Sequence, residues 1–442
     1  MKKTKIGFIS LGCPKNLIDT EIMLNKLYTA GYEITPEETE ADIIIVNTCA
    51  FTESAKQESI DTILDAAWLK KNAKCKGLIV TGCMSERYKG ELIKELPECD
   101  AVLGIASIHD IVDAVKAVEK KKFFEKYGDI DNYDIGGDRL VTTPEYMAYL
   151  KIAEGCDNRC TYCAIPNIRG KFRSRTMEDI VKEAKNLEAL GVLELTLVAQ
   201  DTTRYGVDLY GEYKLAELIR KITSETNIPW IRLLYCYPDK ITDELVEEIK
   251  NNDRVVKYID MPIQHISDNV LKKMNRHGGQ AVIKSAVDRL RKAVPDITLR
   301  TTVITGFPGE TEEDFVELCE YLKETKFERL GAFTYSREEG TPAFGFDEQI
   351  EEQTKQDRCD IIMGMQYDIN AEKNEAKVGK VIKVLCEGFD PVSNTHFGRS
   401  EADAPEIDGK IYFTCGKRLA EGKIYNVKIT EVLDYDLIGE TI

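Results

Sequence analysis

Two successive series of short apolar segments, separated by amphipathic stretches, constrain the fold of this chain more than any other feature. The first series fills the first third of the chain, and the second begins at about residue 144. Buried strands of parallel sheets are continuous runs of Val, Ile and Leu, and helices cover both faces of such sheets. We therefore predict an α/β protein with an N-terminal parallel-sheet domain over residues 1–122 and a second series of six βα units over residues 144–374.

Two further segments differ from these series. Residues 123–143 lose the apolar periodicity and gain Gly and charged residues, which predicts a linker. Beyond Glu375 short strands alternate with Gly or Asp turns and no helix intervenes, which predicts a small all-β barrel over residues 376–442. This last segment carries nine Lys and Arg against eleven Asp and Glu, a net charge of −2. A barrel that grips RNA phosphates should be basic, so this one favours another partner.

The charge of the whole chain also favours a partner other than nucleic acid. There are 60 Lys and Arg against 77 Asp and Glu, and the formal net charge is −17. Such a protein is a poor binder of nucleic-acid phosphates over a large surface and a better partner for a basic protein. We therefore regard nucleic acid as an unlikely substrate. A local basic patch follows residue 158, although solvated loop charge explains it equally well; it comprises Arg159, Arg169, Lys171, Arg173 and Arg175.

Three closely spaced cysteines, Cys156, Cys160 and Cys163, lie in the segment EGCDNRCTYCAIP with no fourth cysteine nearby. A closed iron–sulfur cluster takes four Cys thiolates, so three leave one iron open to another ligand. The spacing therefore favours catalysis over electron storage. Zinc-binding or merely buried thiols are the alternative, but zinc sites favour paired C-x-x-C units with a fourth ligand.

Three other cysteines, Cys13, Cys49 and Cys83, each follow a predicted strand of the first series. Ligands of open α/β sheets gather at the carboxyl ends of strands, where distant residues can meet. Small buried side chains are the alternative explanation for them. The other seven cysteines match no ligand motif and are predicted to be structural; they are Cys75, Cys99, Cys236, Cys319, Cys359, Cys386 and Cys415.

The predicted location is the cytoplasm. The apolar run near the start is too short for a signal peptide, and no stretch approaches the length of a membrane span. With 13 cysteines in the chain, metal ligation in a reducing compartment explains the cysteine content better than disulfides do.

These motifs resemble those of the radical S-adenosylmethionine (SAM) enzymes and, among them, the methylthiotransferases. The resemblance covers essentially the whole chain and is carried by ISLGCPKNLIDTE, NTCAF, TGCM, the cluster loop through IPNIRGKFRSR, and EADAPEIDG. It implies an incomplete (β/α)6 radical SAM barrel in the centre and a TRAM domain at the C-terminal end. It also implies two [4Fe-4S] clusters, one on each cysteine trio, with SAM serving as both radical source and methyl donor.

The resemblance further implies contacts to SAM near the carboxyl ends of the central strands. Plain packing is the alternative for each of these cofactor-binding candidates, which are Tyr162, Gln200, Asp201, Gln264, Gly306 and Gly309. An electron donor and a sulfur donor are implied as partners. We name no catalytic side chain, because the cofactor carries the chemistry.

Within the family, the acidic terminal barrel, LGCPKN and EADAPEIDG favour the branch that methylthiolates the β carbon of an aspartate in S-twelve, a basic decoding-centre protein of the small ribosomal subunit. The predicted substrate contacts are Glu401, Asp403, Glu406 and Asp408. One alternative is the sister MiaB-like branch, which modifies isopentenyl-adenosine in tRNA and shares both trios. Another is a non-catalytic iron–sulfur carrier, which closed four-cysteine sites would support.

Overall fold

The computed structural model describes residues 3–442 of the chain. The N-terminal domain is a six-stranded sheet in which every neighbouring pair is parallel, with strand order β2-β1-β3-β4-β5-β6. Its strands are β1 (Lys5–Ser10), β2 (Glu33–Thr35), β3 (Ile43–Thr48), β4 (Gly77–Gly82), β5 (Ala101–Leu103) and β6 (Phe124–Lys126). The predicted parallel sheet is therefore confirmed.

Helices cover both faces of this sheet, which explains why its central strands are apolar on both sides. They are α1 (Pro14–Thr29), α2 (Glu53–Asn72), α3 (Cys83–Glu95) and α4 (Ile111–Glu119). One apolar cluster packs the sheet against α2 and α3, and a second packs it against α1 and α4. The sequence missed β2 and β6, and β6 lies inside the predicted linker.

The central domain contains the six predicted strands as one parallel sheet in the order β14-β13-β12-β11-β10-β7. The strands are β7 (Met147–Lys151), β10 (Glu194–Val198), β11 (Trp230–Leu233), β12 (Val255–Asp260), β13 (Thr298–Thr305) and β14 (Arg329–Thr334). Between β7 and β10, two short antiparallel strands, β8 (Ala153–Glu154) and β9 (Arg173–Ser174), close the loop that carries Cys156, Cys160 and Cys163.

The helices of the central domain, apart from the two short ones at residues 165–169 and 207–210, pack apolar side chains on the outer side of this sheet, in the largest core of the molecule. They are α5 (Ile165–Arg169), α6 (Met177–Ala189), α7 (Val207–Tyr210), α8 (Leu215–Glu225), α9 (Asp243–Asn251), α10 (Asp268–Lys273), α11 (Gly279–Ala293), α12 (Glu312–Thr325) and α13 (Glu352–Glu375). Because βα loops follow the strands, the carboxyl ends of the strands form one edge where functional residues gather.

The C-terminal domain is a closed barrel in the order β15-β16-β17-β19-β18, which confirms the predicted all-β architecture. Its strands are β15 (Val381–Asp390), β16 (Thr395–Ser400), β17 (Ile411–Thr414), β18 (Lys423–Leu433) and β19 (Asp436–Thr441). Leu385 and Ala404 of this domain pack in one cluster with Tyr149 and Tyr258 of the central sheet and Ile18 of α1. All three domains therefore meet at the inner face of the central sheet. No helix among residues 3–442 is long and apolar enough to cross a membrane.

Candidate active site

The first cysteine trio lies in one tight loop. Cys156 N–H donates to Gly170 O at 3.1 Å, and Cys163 N–H donates to Cys160 O at 3.0 Å. Burial raises the pKa of the Cys156 thiol to about 11, with Asp201 and Cys160 adding to the shift. Burial and the neighbouring Cys160 and Cys156 also raise the pKa of Cys163. Because their pKa values are raised, Cys156 and Cys163 ionise at neutral pH only when a strongly positive ligand is bound.

Within residues 3–442, no group of three or more His, Cys, Asp or Glu side chains is arranged to hold a metal ion. The metal or cluster that either cysteine trio holds therefore stays a prediction.

Charged and polar groups surround Cys160. The Tyr237 hydroxyl lies 3.0 Å from Cys160 Sγ, and the Arg276 guanidinium stacks over the Tyr237 ring at 4.0 Å from its centroid. Arg276 is buried. A buried cation and a hydroxyl donor both stabilise negative charge on sulfur. No sequence motif indicated a role for Arg276, which lies 116 residues beyond Cys160.

Asp201 anchors the cluster loop. Its carboxylate accepts from Asn158 Nδ2 at 2.8 Å, Thr203 Oγ1 at 2.7 Å and Arg204 N at 3.2 Å, and it pairs with Lys240 Nζ at 3.1 Å. Four donors saturate a carboxylate. In this structure Asp201 positions the loop through Asn158, and its direct contact with SAM stays a prediction.

Three buried polar atoms that have no hydrogen-bond partner among residues 3–442 lie at the carboxyl ends of β10 and β12. They are Gln200 Oε1, Gln264 Oε1 and His265 Nε2. His265 Nδ1 accepts from Ser267 N at 3.0 Å, so Nε2 carries the proton and is a donor. Unsatisfied buried polar groups in a native protein call for a ligand or water. A polar cofactor such as SAM, with amino and carboxylate groups, fits this set.

The other predicted SAM contacts have structural roles in this fold. Tyr162 is half-buried and meets Phe307 edge-on, with ring centroids 6.4 Å apart. Gly306 and Gly309 adopt φ of 69° and 75°, where a Cβ would lie 2.1 Å from Lys355 Cγ and 2.0 Å from Lys273 Nζ respectively. The left-handed backbone at both positions therefore favours glycine without any ligand, and contact of the two glycines with SAM stays a prediction.

The second trio meets at one edge of the N-terminal sheet. Cys13 follows β1, Cys49 follows β3 and Cys83 follows β4, and these strands are adjacent and parallel. Gly12 adopts φ 86°, and a Cβ there would lie 3.0 Å from Cys49 Sγ, so only glycine permits this approach. The topology thus brings together three residues spread over 71 positions.

The surroundings of the three thiols shift their pKa values in different directions. Burial raises the pKa of Cys83 to about 12 and also raises that of Cys49. Burial acts in the same direction on Cys13, but Lys15, Arg169 and backbone N–H groups at the start of α1 outweigh it and lower its pKa. Helix N-termini and nearby cations stabilise thiolates, so Cys13 is poised to ligate.

Arg169 connects the two sites. It ends the short helix behind the first trio and donates from Nη1 to Asp19 at 3.0 Å and Glu154 at 2.8 Å. Its Nη2 lies 3.6 Å from Cys83 Sγ of the second trio. The predicted basic patch is corrected at this point, because Arg169 is only 1% exposed and Arg175 is also buried.

The acidic residues of the terminal barrel divide into two kinds. Asp403 is 2% exposed and pairs with Arg329 Nη2 at 2.5 Å, and Asp408 accepts from the Tyr258 hydroxyl at 2.7 Å. Both contact the central domain in this structure, and their contact with substrate stays a prediction. Glu406 is exposed and Glu401 is half-exposed, and their contact with substrate stays a prediction.

Comparison with known families agrees with this architecture. Residues 150–322 match the Radical SAM superfamily, residues 5–104 match the Uncharacterized protein family UPF0004, and residues 378–442 match the TRAM domain. Among solved structures, the radical SAM methyltransferase TsrM from Kitasatospora setae matches with a TM-score of 0.54 and 13% identity over 75% of this chain and 73% of that one, which shows the fold alone.

Curated relatives match over their full length. A protein of Acetivibrio thermocellus named ribosomal protein uS12 methylthiotransferase RimO is 51% identical, covering 100% of this chain and 99% of that protein. A protein of the same name from Thermoanaerobacter sp. is 50% identical over 98% of this chain and 99% of that protein. Fold and site thus define a radical SAM enzyme with added UPF0004 and TRAM domains, a class that uses SAM and a [4Fe-4S] cluster. Within it, the chain belongs to the RimO family of methylthiotransferases.

Proposed function

We propose that this protein transfers a methylthio group to the β carbon of an aspartate in ribosomal protein uS12, the S-twelve protein named above. Identity of about half to RimO proteins over the whole chain is the observation that carries the proposal. It extends through all three domains, including the terminal barrel, whose net charge of −2 suits a basic protein better than tRNA.

Two [4Fe-4S] clusters are part of the proposal. We assign one to Cys156, Cys160 and Cys163 and the other to Cys13, Cys49 and Cys83, because each trio is gathered at one edge of its sheet. When bound, the clusters and SAM supply the electron transfer, the radical, the methyl group and the sulfur. Repeated turnover requires an electron donor for the clusters and a sulfur donor for the methylthio group. A ribosomal substrate implies a cytoplasmic location.

The side chains of this chain hold, orient and shield these groups. Arg276 and the Tyr237 hydroxyl stabilise negative charge at Cys160, and Asp201 fixes the loop. Gln200 and Gln264 offer acceptors and His265 offers a donor to SAM. Arg169 ties the loop of the first trio to the second trio. Burial of the first trio excludes water, which would quench reactive intermediates.

Reconstituted enzyme, SAM and a strong reductant tested on purified uS12 and on tRNA would decide between the branches. We expect mass spectrometry to find a methylthio group on an aspartate of uS12 and none on tRNA adenosine. A uS12 variant with that aspartate replaced by Ala is the matched control. Modified tRNA together with unmodified uS12 would establish the MiaB-like function instead.

A further inference from the structure

The inner face of the central sheet is covered along one side and open along the other. Inward side chains of β7 and β12, such as Tyr149 and Tyr258, are buried because α1 and the terminal barrel pack against them. On β13 and β14 this cover ends: Thr302 and Ile304 are partly exposed, and Phe333 is 59% exposed. We call this part of the inner face, around Thr302, Ile304 and Phe333, the lateral opening.

Phe333 is an aromatic side chain exposed on the inside of the domain. Leu330 and Ala332 pack against the outer core, so the alternation of the strand turns Gly331 and Phe333 to the inner face. A Cβ at Gly331 would lie 3.4 Å from Phe333 Cε2 and 3.9 Å from Arg300 Nη2. The Phe333 ring therefore lies over Gly331 and beside a guanidinium, with much of its surface left uncovered.

The terminal barrel adds a second exposed apolar side chain at this border. Ile407 is exposed and precedes Asp408, whose Oδ1 lies 3.7 Å from Arg300 Nε. Arg300 is the residue beside the Phe333 ring. Ile407 therefore belongs to the segment of the barrel that borders the lateral opening.

The N-terminal domain adds a third. Phe51 is exposed and lies two residues after Cys49 of the second trio. Glu53 N–H donates to Ser336 Oγ at 3.5 Å, which joins this segment to the residues just after Phe333. Exposed apolar side chains that are grouped together mark interaction sites, whereas a single one needs no explanation. Here all three domains contribute one.

The lateral opening adjoins the predicted position of SAM. Gln264 N–H donates to Thr302 O at 2.8 Å, and Ile304 N–H donates to Gln264 O at 2.8 Å. The side-chain Oε1 of Gln264 is buried and has no hydrogen-bond partner among residues 3–442. A substrate that enters over Phe333 therefore reaches the strand next to this unpartnered acceptor.

The charges at this border favour a basic partner. Glu339, in the segment after β14, and Glu406, in the terminal barrel, are exposed. Arg337 of the same segment is engaged with Phe344, since it donates to Phe344 O at 2.8 Å and stacks 4.7 Å from the ring centroid. Carboxylates attract Lys and Arg and repel phosphates. A basic polypeptide loop therefore fits this border better than a nucleic acid does.

We propose that the modified loop of uS12 enters through the lateral opening and that the Phe333 ring packs against an apolar side chain of that loop. The inference rests on the proposed function and adds the route of the substrate and a residue that binds it. Phe51 and Ile407 border the same route from the other two domains. Phe333 is thus a substrate-binding residue that belongs to no cysteine motif.

The test measures binding of purified uS12 to the reconstituted protein with SAM and without reductant. Phe333→Ala should weaken binding at least about tenfold, because aromatic anchors dominate the affinity of protein interfaces. Phe333→Tyr keeps the ring and should retain most of the affinity. Trp68→Ala is the matched control, since Trp68 is equally exposed but lies near the end of α2 that is distant from Cys49. This variant should bind uS12 as the wild type does.

Two further readouts separate the possible failures. Iron content and SAM affinity of Phe333→Ala should match those of the wild type. Undiminished uS12 affinity in Phe333→Ala would overturn the inference, as would a loss of iron or of SAM affinity, which would make Phe333 a part of the cofactor site. If the wild type modifies uS12 and only the Phe333 result fails, the proposed function stands. If the wild type ignores uS12 and modifies tRNA, both proposals fall.

Discussion

His265 shows how one side chain is tuned by its surroundings. It is fully buried after β12, with Nδ1 accepting from Ser267 N and Nε2 free of protein partners. Burial lowers the pKa of the imidazole from 6.5 to about 4, the positive Arg358 adds to this, and Asp314 opposes it. The ring is therefore neutral at physiological pH, and its single N–H is available to a ligand.

This pKa predicts a pH dependence of stability. A histidine whose pKa is depressed in the folded state stabilises the fold above pH 6.5, and this stabilisation is lost as the pH falls toward 4. Between pH 7 and pH 5 the free energy of unfolding should drop by about 2 kcal/mol from this group. Denaturant unfolding should show a smaller drop in His265→Gln. The exposed His277→Gln is the control, and equal pH dependence in the two variants would refute the assignment.

The loop between β16 and β17 shows how one element joins two domains. Buried Arg399 at the end of β16 donates to Glu194 of β10 at 2.7 Å, and Glu194 also accepts from Arg232 at 2.6 Å. Asp403 then pairs with Arg329 of β14. These side chains attach the terminal barrel to the inner face of the central sheet, so the barrel is an integral part of the fold.

Removing one member of this network should destabilise the protein. Asp403→Asn keeps the shape of the side chain but leaves the buried Arg329 without an anion, which should cost about 3 kcal/mol. Thermal or denaturant unfolding would measure the loss. Glu406→Gln, on the exposed part of the same loop, should change stability by less than about 0.5 kcal/mol. Equal effects of the two substitutions would contradict the network.

The more exposed acids of this loop, Glu401 and Glu406, are predicted to contribute to binding of uS12. Glu401→Lys with Glu406→Lys should weaken binding of uS12, because reversed charge repels a basic protein. The effect should be largest at low salt and shrink toward 1 M, where screening is short-ranged. Binding titrations over a salt series would measure it, with iron content as the control for folding. Unchanged affinity at low salt would exclude this loop as a docking surface.

At the scale of the whole molecule, two cysteine trios on different domains share one region. The carboxyl ends of both parallel sheets face it, and Arg169 and the Lys15–Tyr235 contact span the two domains. Under the proposed function, a radical formed at the first trio would therefore arise close to sulfur held at the second. The proposed division of labour assigns the radical to the first trio and the sulfur to the second.

Separate removal of each trio tests that division. Cys156, Cys160 and Cys163 changed together to Ala should leave about half the iron and abolish SAM cleavage, because the proposal gives each trio its own cluster. Cys13, Cys49 and Cys83 changed together to Ala should also leave about half the iron but spare cleavage while eliminating methylthiolation. Iron analysis and chromatography of deoxyadenosine would measure both. Full iron in either variant, or normal product from the second, would break the assignment.

Some of this architecture is readable from the sequence alone. Runs such as IIIV in β3 and the helices between them predict parallel sheets, because a strand buried on both faces needs continuous apolar side chains. The trio at Cys156, Cys160 and Cys163 is also visible directly, since residues within seven positions are held close by the chain itself. These features depend on local periodicity and spacing, which tertiary context seldom overrides.

Only the tertiary structure determined the short strands and the state of the buried charges, because both depend on residues that are distant in the sequence. Three-residue strands such as β2 and β6 carry almost no periodic signal and exist only through pairing with a neighbouring strand. From the sequence alone Asp403 is expected to be an exposed acid, but in the structure it is buried in an ion pair with Arg329, 74 residues away. From the sequence alone Lys15 is an ordinary surface lysine, but in the structure it is buried against the ring of Tyr235, 220 residues away. Whether a charge is paired, buried or left for a ligand is a property of the folded neighbourhood, which local sequence does not encode.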